Sequence, residues 1–303
     1  MSAQSELAMK DLADYIRSEN PELATLLVLS RYVDDLQESK SSQEECFRLA
    51  KAADQLFEKV GLKCKAWTFS GLPPSPAVSK DGLSIGIFGV FSWFSEGDYV
   101  EPKIPKLHFA NPKRKKGTII IKYFEEKSEE EMDDFVPNPM TKRQAASKLA
   151  SVWDLLGKLT PVMPRMKVDL RETFVQLGPG NWDTAMSPDL RQRWVRNFWV
   201  LEQLRGLKFT RAVMPPEAIN IKMRILTGVD AAKEALIMAC WAGFELKDGS
   251  WSNQLLIGRS LLSKNESIPK SELDAICGGS NMAWVVRLAL EEWVDKQILF
   301  SDS

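Results

Sequence analysis

The chain has a single histidine, His108, and four cysteines, none of them in a C-x-x-C pair. Cys46, Cys64, Cys240 and Cys277 stand far apart, which argues against structural zinc and reads as buried thiols in a reducing compartment. His108, within Lys106-Leu-His-Phe109, reads as a structural residue. No apolar run reaches 18 residues and no signal peptide opens the chain, so nothing places it in or across a membrane. The expected location is intracellular, cytoplasmic or nuclear. A global cationic excess is also missing: 40 basic residues face 41 acidic ones. Any nucleic-acid contact must then be local. The one dense basic patch is Lys113-Arg114-Lys115-Lys116, and an acidic run from Glu125 to Asp134 follows it closely.

What remains is ordinary for a soluble globular protein, 44% hydrophobic and 27% charged over 303 residues, enough for two or three cores. The most informative stretch is Leu26-Leu-Val-Leu-Ser-Arg-Tyr32-Val33-Asp34-Asp35-Leu36. Four aliphatic residues bounded by a polar turn predict a buried strand whose hairpin tip carries two adjacent carboxylates. Adjacent carboxylates repel, and partial burial costs them hydration, so a compensating cation is favoured. Mg²⁺ shared with phosphate oxygens is the usual compensator. The plainer reading of Asp-Asp is a solvated turn.

Apolar spacing over 3–19 predicts a helix ending before Pro21. Ser42-x-x-Glu45 is a capping box for a helix that Gly61 stops, and Leu62–Trp67 alternates like a strand. A Pro/Ser loop at 71–80 precedes one or two strands within Leu83–Phe94, and a charged insertion with one strand at Gly117–Phe124 runs to Pro139. Thr141-x-x-Gln144 caps a helix through Ala145, Leu149, Val152, Trp153 and Leu156 to Gly157. Ser187-Pro188 opens another through Leu190, Trp194, Phe198 and Leu201 to Gly206. Strands are predicted at Ile219–Asp230, Ala235–Phe244, Trp251–Leu261 and Lys296–Phe300, with a helix from Pro269 to about Glu292 before the last. The fold class is α+β. Gly278-Gly279 would weaken that helix unless they allow close packing on a sheet.

Tyr32-x-Asp34-Asp35 on a hairpin resembles the palm signature of reverse transcriptases. Thr141-Lys-Arg-Gln-Ala-Ala-Ser-Lys-Leu-Ala-Ser-Val-Trp-Asp-Leu-Leu-Gly157, followed by Asn181-Trp-Asp183 and Leu190-x-x-x-Trp194, resembles the segment after the palm in polyproteins of BEL/Pao-type retrotransposons. It departs from that family at Val152-Trp153 and at Leu155, where proline is usual. Ile268-Pro-Lys-Ser-Glu-Leu273 is similar to the family's Ile-Pro-Arg-x-Glu-Leu. The final order of three strands, helix and strand resembles the ribonuclease H fold, and Asp230, Glu272 and Asp302 fall on its metal positions. Taken singly, Glu272 and Asp302 are common helix-start and turn acids.

The resemblance implies a partial reverse-transcriptase palm with a charged insertion at 1–135, a helical thumb and connection at 136–215, and an incomplete ribonuclease H-like mixed sheet with helix at 216–303. It implies RNA-directed DNA polymerase and ribonuclease H chemistry, with Mg²⁺ or Mn²⁺ held by Asp34 and Asp35 and by Asp230, Glu272 and Asp302. A primer-template or RNA–DNA hybrid would be the partner, met by Tyr32, Lys113, Arg114, Lys115 and Lys116. No further palm aspartate precedes Tyr32 on a strand, and the chain stops one residue after Asp302, so the expectation is a polyprotein fragment inactive alone. The alternatives are a recruited non-catalytic nucleic-acid-binding protein and a protein-interaction module.

Overall fold

The computed structural model gives an α+β chain and describes residues 3–32, 35–109, 122–125, 128–264 and 267–301. The chain forms two compact units, Met1–Glu101 with Lys208–Arg211, and Pro102–Leu207 with Ala212–Ser303.

In the first unit α1 (Ala3–Ile16), α2 (Pro21–Val28) and α3 (Gln43–Lys59) share a core of Ala13, Ile16, Leu26, Leu27, Leu49 and Phe57. The Leu26–Leu29 run, expected as a strand, belongs instead to the end of α2. Its start explains the difference: Asn20 Oδ1 accepts from Leu23 N at 3.0 Å, and Pro21 in the first turn has its φ already set for a helix. A stretch apolar at every position has no period to separate buried helix from buried strand. The hairpin survives as two short strands, β1 (Arg31–Tyr32) and β2 (Asp35–Leu36), paired Arg31 with Leu36 and Tyr32 with Asp35.

Ser42 caps α3 by accepting from Glu45 N at 3.2 Å, while Glu45 reaches back to Ser41 N rather than Ser42 N. The expected strand at Leu62–Trp67 is irregular chain, held to α3 by Trp67 Nε1 donating to Asp54 at 3.0 Å. A small sheet follows, in the order β3 (Ile85–Ile87), β4 (Phe91–Phe94), β5 (Tyr99–Pro102) and β6 (Phe209–Thr210). Phe88 and Gly89, both at positive φ (51° and 71°), make the tight β3–β4 turn. Arg211 fixes the other end, gripping Asp98 at 2.6 and 3.0 Å while Trp93 donates to the same carboxylate.

The second unit opens with α4 (Glu129–Phe135), α5 (Lys142–Ala150), α6 (Met163–Leu177) and α7 (Pro188–Gln203). Their core holds Met132, Met140, Met166, Leu190, Trp194 and Phe198. From Glu129 onward the acidic run read as insertion is helical: Ser128 and Glu131 form a capping box, and Glu129, Glu130 and Glu131 complement the positive end of the helix dipole. Of the strand expected at 117–124, residues 117–121 lie outside the described residues and 122–124 are not extended into a sheet. The helix opened by Thr141 stops at Ala150, short of the expected Gly157, and leaves Trp153 61% exposed.

The terminal sheet has the order β10-β7-β8-β9. Its strands are β7 (Met223–Ala231), β8 (Ala235–Glu245), β9 (Trp251–Leu262) and β10 (Val294–Ser301), with α8 (Ile268–Ala289) before the last. β7, β8 and β9 form an antiparallel meander, and β10 returns through α8 to lie parallel to β7. The glycine pair in α8 is what lets the helix sit close. A Cβ on Gly279 would come 2.3 Å from Val229 Cγ1, and one on Gly278 2.6 Å from Met238 Sδ.

Candidate functional site

Two stretches singled out by their sequence are docking devices. Thr141 and Gln144 complete a capping box, and the residues between them clasp the chain around Asn181-Trp-Asp183. Lys142 is fully buried, its Nζ donating to the carbonyls of Gly178 and Pro179 just past α6 and lying 4.8 and 5.1 Å from the ring centres of Phe174 and Trp182. A cation there meets the negative end of the α6 dipole and two aromatic rings, which replaces a carboxylate partner. Arg143 grips Asp183 with two bonds of 2.8 and 3.0 Å, and its N–H donates to Trp182 O.

The second device is Asp154-Leu-Leu-Gly157. Asp154 accepts from the backbone of Lys158 and Leu159 at 2.8 Å each. Burial pushes its carboxyl up, and these two N–H donors oppose the rise. Leu156 O accepts from Gly258 N, so the loop docks on the outer strand β9. On either side of that contact, Lys158 and Lys167 donate to the β9 carbonyls of Leu255 and Ser260, and Arg171 to that of Ser263 just past the strand. These cations occupy acceptors an edge strand would otherwise offer to another chain. Burial draws the Lys158 and Lys167 amines down, the nearby Asp154 partly offsetting it.

The acids expected to hold metal are arranged by α8. Ser271 in its first turn meets Ser263 at 2.7 Å, and Ala275 packs with Val229, Leu236 and Met238. Leu290, just past its end, packs with Met223 and Val294. The helix therefore runs antiparallel to β7 and brings its N-terminus to the strand end that carries Asp230. Ser301 pairs with Val229, so β10 ends there too. Gly278 faces β8 while Gly279 faces Val229 of β7 and Leu299 of β10. Glu272, seven residues before Gly279, shares that flank and leans toward the β7–β10 side.

Alternation along β7 adds a constraint. Thr227 and Val229 face α8, so Asp230 lies on the opposite face, with Gly228. The two carboxylates share one end of the sheet and can approach each other only around the strand ends of β7 and β10. Asp230 is exposed and Glu272 half-buried, and neither has a hydrogen-bonding or ionic partner among the described residues. Their oxygens are hard donors, suited to Mg²⁺ or Mn²⁺ rather than to zinc. Asp302 lies outside the described residues. Among those described, no group of three or more His, Cys, Asp and Glu side chains is placed to hold a metal.

In the first unit, Tyr32 packs edge-on against Phe88 with ring centres 5.1 Å apart, and Asp35 is exposed on β2. Asp34 and the basic patch Lys113, Arg114, Lys115 and Lys116 lie outside the described residues. No helix among the described residues is long and apolar enough to cross a membrane. The residues that carry no signal of their own in the sequence are Lys142, Lys167 and Arg171, on ordinary polar helix positions, and Lys158, in the turn between α5 and α6. Only the adjoining Thr141-x-x-Gln144 and Asp-x-x-Gly spacings marked their neighbourhood.

An antiparallel meander continued by a helix into a parallel fourth strand, with acids at the shared end of β7 and α8, defines a ribonuclease H-like domain. Residues 141–303 match the Pao retrotransposon-like RNaseH-like domain, over half of the chain, and the chain belongs to that family. One similar solved structure is described as the foamy viral protease-reverse transcriptase dRH in complex with ds DNA. It is 9% identical with a TM-score of 0.49, over 96% of this chain and 41% of that one. This chain thus spans less than half the length of that relative. A comparison with curated proteins returns no match.

Proposed function

We propose that the terminal domain is the ribonuclease H module of a BEL/Pao-type retrotransposon polyprotein, acting on the RNA strand of an RNA–DNA hybrid. Asp230, Glu272 and Asp302 would hold Mg²⁺ or Mn²⁺ at the ends of β7, α8 and β10. A divalent ion held there supplies positive charge to the phosphodiester under attack. The first unit is read as part of a reverse-transcriptase palm, in which Tyr32 would meet a primer-template and Asp34 and Asp35 would hold Mg²⁺ or Mn²⁺, and the helices α5 to α7 as thumb and connection.

The observation that carries the reading is the antiparallel passage of α8 over β7, which delivers Glu272 to the strand end of Asp230. Helix-start and turn acids taken at random have no reason to share one end of a sheet. The test is hybrid binding with and without divalent ions. Mg²⁺ is expected to tighten binding of a short RNA–DNA hybrid to the whole chain, and Asp230→Asn with Glu272→Gln to abolish that dependence, leaving metal-free affinity unchanged. Affinity indifferent to Mg²⁺ in the unaltered chain would overturn the metal site. Hybrid binding of equal strength with and without metal would favour the second reading, a recruited non-catalytic binder, which the Arg224–Lys296 pair and Trp251 on the terminal sheet support.

A further inference from the structure

The sheet face turned away from α8 carries a pairing that folding alone does not favour. Arg224 of β7 and Lys296 of β10 are direct cross-strand partners. Like charges placed opposite one another in a sheet destabilise it. Neither has a carboxylate partner among the described residues. Two cations held side by side in register favour an anion between them.

Around them the same face is aromatic. The Arg224 guanidinium lies 4.2 Å from the ring centre of Trp251, which is 40% exposed. Two rows farther along β7, Gly228 leaves room for Phe300 and Trp241. A Cβ there would come 2.9 Å from the Phe300 ring and 3.1 Å from that of Trp241. These two rings stack on each other, 6.3 Å apart and 19° from parallel, and Phe300 is 51% exposed. Leu226 and Ile298, half-buried between the two groups, complete the floor.

We propose that this face binds a single strand of nucleic acid, with a phosphate on the Arg224–Lys296 pair and bases against Trp251 and Phe300. Cations that track a backbone, interleaved with rings that accept any base, are the chemistry of sequence-tolerant single-strand binding. A duplex keeps its bases stacked inside and offers such rings nothing to stack on. Asp230 lies on the same face, six residues or roughly 20 Å along β7 from Arg224. A strand seated on the cation pair can therefore lead toward that carboxylate. The inference rests on reading the domain as one that acts on nucleic acid.

The test is fluorescence anisotropy of labelled oligo-dT and oligo-rU with the whole chain at low salt, beside an RNA–DNA hybrid. Arg224→Gln with Lys296→Gln is expected to weaken single-strand binding by about 10-fold or more and to lower the salt slope by about 0.7, the value for one phosphate contact on a single strand. Trp251→Leu is expected to remove most of the tryptophan quenching on binding. Lys296→Glu separates function from structure: it replaces a repulsive pair with an attractive one, so its unfolding midpoint should rise while binding falls. Single-strand affinity unchanged in the double variant, with the parent chain binding, would overturn this site and leave the proposed function standing. A parent chain that binds no nucleic acid of any kind would overturn both. Concentration-dependent self-association abolished by the same variants, without oligonucleotide binding, would reassign the face to a second copy and overturn the inference.

Discussion

Gly157→Ala is expected to destabilise the second unit by about 4 kcal/mol, read as a lower midpoint in urea with an unchanged slope. Two costs combine at this position. Gly157 has φ +68°, and a Cβ there would come 1.9 Å from the backbone oxygen of Gly258, an atom that cannot rotate aside. Either the Asp154–Gly157 loop lifts from β9 or β9 bends, and the Leu156–Gly258 bond suffers in both cases. Gly61→Ala isolates the first cost: Gly61 has φ +73° but nothing within 4 Å of the added carbon, so about 1 kcal/mol is expected. A Gly157→Ala penalty no larger than that of Gly61→Ala would mean the loop does not dock as described.

Lys142→Ala is expected to cost about 3–5 kcal/mol, because it opens a cavity and strips the carbonyls of Gly178 and Pro179 of their donor. Lys142→Met keeps most of the volume and loses only the charge and its bonds, so roughly half that cost is expected. The ratio of the two measures how much of the clasp is packing and how much is hydrogen bonding at the end of α6. If neither substitution costs more than about 1 kcal/mol, Lys142 is not the buried donor that joins α5 to α6.

Much of the terminal domain is legible in the sequence. β7, β8, β9 and β10 alternate or run apolar with clear turn chemistry, and Lys247-Asp-Gly-Ser250 is a hairpin signal that the structure keeps. The Gly278-Gly279 pair, a weakness on helix propensity, proved to be a packing surface, as a helix lying directly on a sheet requires. Legibility failed where a segment lacked a period of its own. Leu26–Leu29 could be strand or helix on hydrophobicity, and the capping by Asn20-Pro21 that decided it lies six residues upstream. Leu62–Trp67 alternates correctly but has no partner strand, and alternation cannot supply one. The acidic run at Glu129–Phe135 reads as solvated charge until Ser128 is recognised as its cap. Trp153 fits a helical stripe, yet Asp154 draws the following backbone N–H groups into a turn and ends the pattern.

The acids tell a similar story. The resemblance to the ribonuclease H fold nominates Asp230 and Glu272, and the direction of α8 explains why they share an end of the sheet. That Asp230 turns away from α8 follows from register, which the sequence does not state. The decisive measurement is paramagnetic broadening of backbone amide signals on titration with Mn²⁺. The account predicts selective loss of signals at Asp230 and Ala231, at Ser271 to Leu273 and at Ser301, while Met223, Leu290 and Val294 at the opposite end stay sharp. Broadening spread evenly over the exposed acids, or confined to a site away from the ends of β7 and β10, would contradict it.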